Sequence, residues 1–242
     1  MEAFMKKIAV LFSVICMLGS VFSWAADPAA TVSPEEAVKL LKEGNGRFIA
    51  GTSQHPNNDL QRRNTTAAQG QHPFVTVLSC SDSRVPVEVL FDRGVGDIFV
   101  IRVAGNVANG DEVGSIEYAV DHLGTPLLVI LGHTKCGAVT AVVQSAELLG
   151  NIIPIGKSIF PAVVAAKKSN PKASGDALIN DAIKANVWQA IEDIYRTSPI
   201  TAARVKSGKL KVVGALYDIE SGNVSWLGSH PKEGGLLSDK GH

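Results

Sequence analysis

Four apolar runs, set apart by turn residues, punctuate this chain. Residues 74–79 follow Pro73, residues 98–103 follow Gly94-Val95-Gly96-Asp97, and residues 127–131 follow Gly124-Thr125-Pro126. Residues 209–217 form the fourth, and Ser221-Gly222-Asn223 turns from it into a short Val224-Ser225-Trp226 run. These are continuous Val/Ile/Leu stretches rather than alternating ones, which predicts strands buried on both faces, as in a parallel sheet. Between them the apolar spacing is helical over residues 112–123, 137–149, 159–168 and 176–195. An earlier helix starts at Ser33-Pro34-Glu35-Glu36, where Ser33 is the N-cap, Pro34 the first helical residue and Glu36 completes a capping pattern; it reaches about Ile49. Residues 54–69 are polar, include His55-Pro56 and Asn57-Asn58, and read as a surface connection. Strands alternating with helices predict an α/β fold, a mostly parallel central β-sheet flanked by helices. It forms one domain over residues 26–229, and the Gly/Lys/Ser-rich residues 230–242 read as a flexible C-terminal tail.

The first residues follow a different pattern. Lys6-Lys7 precede an apolar stretch over residues 8–24, and Ser23-Trp24-Ala25 offers a small-x-small site. That is the layout of a secretory signal peptide over residues 1–25, cut after Ala25, and it predicts export to the periplasm or beyond the cell. The competing reading is an uncleaved anchor, for which the stretch is at the short limit. Cys16 leaves with the peptide. No later segment is long and apolar enough to span a membrane. Lys plus Arg equals Asp plus Glu at 23 each, so no excess charge points to nucleic acid or anionic lipid as a partner. In an oxidising compartment the two remaining cysteines, Cys80 and Cys136, first suggest a disulfide.

Their neighbours suggest something else. Cys80-Ser81-Asp82-Ser83-Arg84 ends the first apolar run, and Gly132-His133-Thr134-Lys135-Cys136-Gly137 ends the third. In open parallel sheets ligands bind beyond the carboxyl ends of the strands. Adjacent strands would bring Cys80, His133 and Cys136 to one rim, and two thiolates with one imidazole are the ligand set of a zinc site with an open fourth position. A helix starting behind Cys136 favours its thiolate. Asp82 is placed to accept a hydrogen bond from water at such a site, with Arg84 keeping it ionised. A Cys80–Cys136 disulfide leaves His133, Asp82 and Arg84 without a role.

With these two motifs the sequence resembles the β-class carbonic anhydrases, over about residues 33–226. The resemblance implies one Zn2+ per chain on Cys80, His133 and Cys136, with Asp82 and Arg84 as catalytic residues. It also implies reversible hydration of carbon dioxide to bicarbonate and a proton by zinc-bound hydroxide. Gln71, Phe99 and Tyr118 match the family's substrate-pocket positions, which reach the zinc from the neighbouring subunit, so a homodimer or a dimer of dimers is implied. Members regulated by bicarbonate carry a Trp three residues before the first Cys; Val77 stands there, which implies the open subtype with Asp82 paired to Arg84 and off the metal. Two alternatives stay open: hydrolysis of carbonyl sulfide or carbon disulfide on the same scaffold, and a non-catalytic α/β binding module held by a disulfide.

Other signals are weaker. Asn151 stands where a phosphate loop ending in Gly156-Lys157-Ser158 needs its first glycine, and Pro154 interrupts it. His55 and His72 precede prolines and read as turn residues, while His122 reads as a helix C-terminal group. Trp188 and Tyr195 read as core or subunit contact.

Overall fold

The computed structural model describes residues 32–238; the predicted signal peptide lies outside them. Helix α1, Pro34–Ile49, starts as the sequence predicts: Ser33 is extended and its side chain accepts from the Glu36 amide at 3.1 Å. The strands are β1 Val75–Ser79, β2 Ile98–Arg102, β3 Leu127–His133, β4 Lys211–Tyr217 and β5 Val224–Gly228. They form a single sheet in the order β2-β1-β3-β4-β5, parallel except for β5, which runs antiparallel to β4. Every residue of β1 and β3 is buried. This burial explains why the apolar runs are continuous: both strands are covered on two faces.

One face packs on α1 and the short helix α3, Val87–Leu90, through Leu41, Leu90, Phe91, Val77 and Val129. The other packs on α4, Gly110–Glu117, and α7, Gly175–Thr197, through Ile116, Val187, Ile191, Leu78 and Ile130. A third apolar cluster joins α5, Gly137–Val143, and α6, Ile153–Ser169, to α7, and it includes Cys80 and Cys136. Gly132 and Gly214 let α7 lie close against the sheet. A Cβ at Gly132 would stand 2.7 Å from Val187 Cγ2, and one at Gly214 2.8 Å from Val187 Cγ1. Tyr195 is buried core, and Trp188 packs partly buried beside it.

The chain leaves β1 to one side for β2 and to the other for β3. The carboxyl end of β1 is therefore a topological switch point, where open α/β sheets place their ligands. Ser79 pairs with Leu131, so the residues that follow both strands emerge at the same rim.

Several expected boundaries move. Within residues 54–69, expected as a connection, the structure has helix α2, Leu60–Gln69, capped by Asp59, whose Oδ1 accepts from the Arg62 amide at 2.7 Å. It buries no residue, so no apolar period marks it, and Arg62 ties it down through Val95 O and Asp97. Helix α5 stops at Val143, short of the expected 149, before Ser145 in the left-handed region at φ +54. Helix α6 begins earlier than expected because Pro154 occupies its first turn, where the missing amide costs nothing. Tyr118–His122 continues α4 as a π-type turn. Helix α8, Pro199–Lys206, follows a cap at Ser198.

Of the residues expected as a loose tail, 230–238 are described and pack onto the domain, while 239–242 lie outside the described residues. His230 is buried edge-on against Trp188, with ring centroids 5.3 Å apart, and Nε2 lies 3.2 Å from Glu192. Helix α9, Glu233–Ser238, follows, and Tyr195 donates to Glu233 at 2.8 Å.

Candidate metal centre

Cys80 is the first residue after β1, His133 is the last of β3, and Cys136 is the N-cap of α5. The turn joining the last two closes because Lys135 takes a left-handed conformation, φ +58. One ligand atom from each of the three residues lies within 4.8 Å of the other two, and all three are buried. Cys80 and Cys136 are free thiols.

The imidazole is prepared for a ligand. His133 Nδ1 donates to the Thr134 carbonyl at 2.9 Å, which fixes the tautomer and leaves Nε2 as the bare lone pair. That Nε2 is fully buried and has no hydrogen-bond partner. A buried unpartnered acceptor facing two thiols is costly to keep, and a metal ion satisfies all three atoms together. The donor set therefore fits zinc.

The thiols are unequal. Cys80 Sγ accepts from the Gly105 amide at 3.2 Å and the Asp82 amide at 3.4 Å. A hydrogen bond from Cys136, together with these amides, draws Cys80 well below an ordinary thiol against the opposing effect of burial. The hydrogen bond to Cys80 and burial push Cys136 upward. Of the two thiols, Cys80 is therefore the one whose ionised form the surroundings favour.

Asp82 turns toward Arg84 in a bidentate pair: Arg84 Nε to Oδ1 at 2.9 Å and Nη2 to Oδ2 at 2.7 Å, with the Arg84 amide also donating at 3.0 Å. The Arg84 side-chain hydrogen bonds are the largest influence holding Asp82 far below the usual carboxylate range. Oδ2 stays 3.9 Å from His133 Nε2, at the edge of the cluster. Arg84 Nη2 also reaches Lys135 O at 3.2 Å, linking the loop after β1 to the turn after β3.

Removing Arg84 tests this pairing. Arg84 favours the ionised carboxylate, so Arg84→Gln is expected to raise the Asp82 pKa, read by carboxyl NMR titration. An Asp82 titration that does not move in the variant contradicts the pairing.

Sequence reasoning alone does not reach three further residues. Arg102 of β2 donates to the carbonyls of Cys80 at 3.1 Å and Asp82 at 2.7 Å, holding the loop that carries both. Its only signal is an arginine in an apolar strand. Gly105 donates its amide to Cys80 Sγ, and Asn186 of α7 donates to the Gly105 carbonyl.

Gln71, Phe99 and Tyr118, expected in the substrate pocket, are not among the residues grouped in the cluster. Gln71 is exposed on the segment entering β1. Phe99 pairs in register with Thr76 on the edge strand, and its ring centroid lies 5.9 Å from that of Tyr118, itself 5.5 Å from His122.

Fold and cluster together define an α/β protein with a buried Cys-His-Cys cluster that could hold a metal ion at the switch point of its sheet. Comparison with known proteins agrees. The family model described as carbonic anhydrase matches residues 75–224. Carbonic anhydrase 2 of Mycobacterium tuberculosis is 37% identical over 196 residues, covering 79% of this chain and 92% of that protein. The carbonic anhydrase of Mycolicibacterium smegmatis is 36% identical over 202 residues, covering 82% and 95%. Among solved structures, the β-carbonic anhydrase CafA of Aspergillus fumigatus superposes with a TM-score of 0.67 at 29% identity, covering 82% of this chain and 95% of that one. The chain belongs to the carbonic anhydrase family, in its β class, and is an enzyme of carbon dioxide hydration.

Proposed function

We propose that Cys80, His133 and Cys136 hold one zinc ion per chain, and that Asp82 and Arg84 serve the hydration carried out there. The observation that carries this reading is the bare, buried Nε2 of His133 facing two free thiols. When bound, zinc supplies the Lewis acidity that makes water nucleophilic near neutral pH.

The chain's own residues do the rest. Cys80, His133 and Cys136 contribute three donors and leave one side open. Asp82 is on that side, ionised by Arg84, and its Oδ2 accepts a hydrogen bond from the attacking water, aligning it toward carbon dioxide. The bidentate pair with Arg84 holds the carboxylate with Oδ2 3.9 Å from His133 Nε2, which supports the open subtype. Removing zinc with a chelator is expected to abolish carbon dioxide hydration, and adding zinc back to restore it. Hydration that survives complete zinc removal contradicts the reading.

The substrate pocket is completed in an assembly. Gln71, Phe99 and Tyr118 line it from a neighbouring subunit, with the chain a homodimer or a dimer of dimers. The position of Phe99 on the edge strand, beside a solvent-facing Tyr118, supports this. A fully active monomer in sedimentation analysis rules it out. The protein works after export, in the periplasm or outside the cell, as Lys6-Lys7, the apolar residues 8–24 and the site at Ala25 support. Mature protein recovered from the producing cell should begin at Ala26; one that retains Met1 refutes export by this route.

A further inference from the structure

Asn186 lies in the middle of α7, buried, where the helix passes the turn that follows β2. A helix of this kind fills such a position with an apolar residue. Its Nδ2 donates to the Gly105 carbonyl at 2.7 Å. Its Oδ1 is buried with no hydrogen-bond partner. A buried amide satisfied at one end only is a poor device for stability, since the orphaned acceptor has lost its water without gaining a partner. The retained contact is what distinguishes it.

That contact leads directly to the metal centre. Gly105 has φ +72, a conformation that favours glycine, and a Cβ there would stand 2.7 Å from Ile159 Cδ1 and 3.3 Å from Ala138 Cβ. The Gly105 amide points at Cys80 Sγ, 3.2 Å away. The peptide group on the other side of Gly105 is gripped by Asn186. One short glycine unit thus joins a buried helix side chain to the sulfur of a metal ligand.

We propose that Asn186 is a positioning residue for the metal centre. By holding the Gly105 carbonyl it fixes the direction of the Gly105 N–H, which in turn sets the electron density and placement of the Cys80 sulfur. This rests on the reading of Cys80, His133 and Cys136 as the zinc site. Partners of this kind orient ligands, and their loss costs ten- to a hundredfold in metal affinity. A hydrogen bond to a metal-bound sulfur also lowers its donor strength, which spectroscopy reads without reference to turnover.

The test uses the full mature protein and three variants. Asn186→Leu keeps the branched shape of the side chain and removes the donor. Asn186→Ser shortens the side chain beyond reach of Gly105 and covers the case in which leucine does not fold. Ile191→Val, on the same helix and equally buried, is the control for a small loss of packing. Each is stripped of metal, titrated with zinc in competition with a chelator, and loaded with cobalt(II) for its thiolate-to-metal absorption. Either Asn186 variant is expected to bind zinc about tenfold more weakly or worse, with the cobalt band moved to longer wavelength; Ile191→Val retains the wild-type band and affinity. An unmoved band in the Asn186 variants, or the same loss in Ile191→Val, overturns the proposal. If the wild-type protein binds neither metal, the zinc reading itself has failed.

Discussion

Replacing Asp82 with asparagine is expected to lower kcat/KM for carbon dioxide hydration roughly a hundredfold to a thousandfold while zinc content stays at the wild-type level. The magnitude follows from the removal of a positioned proton acceptor. Asn keeps the shape of the side chain and still offers Arg84 one oxygen. It loses the charge that Arg84 stabilises and the oxygen that faces His133 Nε2 across 3.9 Å. Zinc is retained because Asp82 lies outside the three-residue cluster. Stopped-flow hydration assays with metal analysis on the same sample decide the matter. A rate unchanged in Asp82→Asn removes Asp82 from the mechanism, and a loss of zinc would mean that it ligates.

The second large effect is expected from Cys136→Ser, which should abolish both tight zinc binding and hydration yet leave the fold intact. This substitution separates chemistry from architecture because Cys136 is also the N-cap of α5. Serine is among the best N-cap residues and its side chain can accept from the first amides of the helix. The helix is therefore preserved or strengthened while a thiolate is exchanged for a hydroxyl, a far weaker zinc ligand. Circular dichroism should match wild type, and metal analysis should show zinc lost. Full zinc occupancy in Cys136→Ser would exclude this residue as a ligand.

Much of this site was legible in the sequence because its residues break the rules for folding. A strand that ends in Cys80, Asp82 and Arg84, and another that ends in His133 and Cys136, invite a reason beyond packing. The parallel strands that bring them together were equally legible, since burial on both faces leaves continuous apolar runs. Residues acting through the backbone left no such mark. Arg102 and Asn186 reach the site from β2 and α7 through carbonyl groups, so only the folded geometry connects them to Cys80. Helix α2 escaped for the opposite reason: it buries nothing, and its only sequence mark is Asp59 as a cap. The C-terminal segment has a composition typical of tails, but His230 and Glu233 dock onto α7 through Trp188, Glu192 and Tyr195.

The most direct test of the central claim is to count zinc and thiols on one sample of the mature chain beginning at Ala26, freshly purified. A zinc–thiolate centre predicts one zinc per chain, and two free thiols when the protein is unfolded in a chelator. No zinc and no free thiol would mean that Cys80 and Cys136 are joined as a disulfide, and the account given for the metal centre would be wrong.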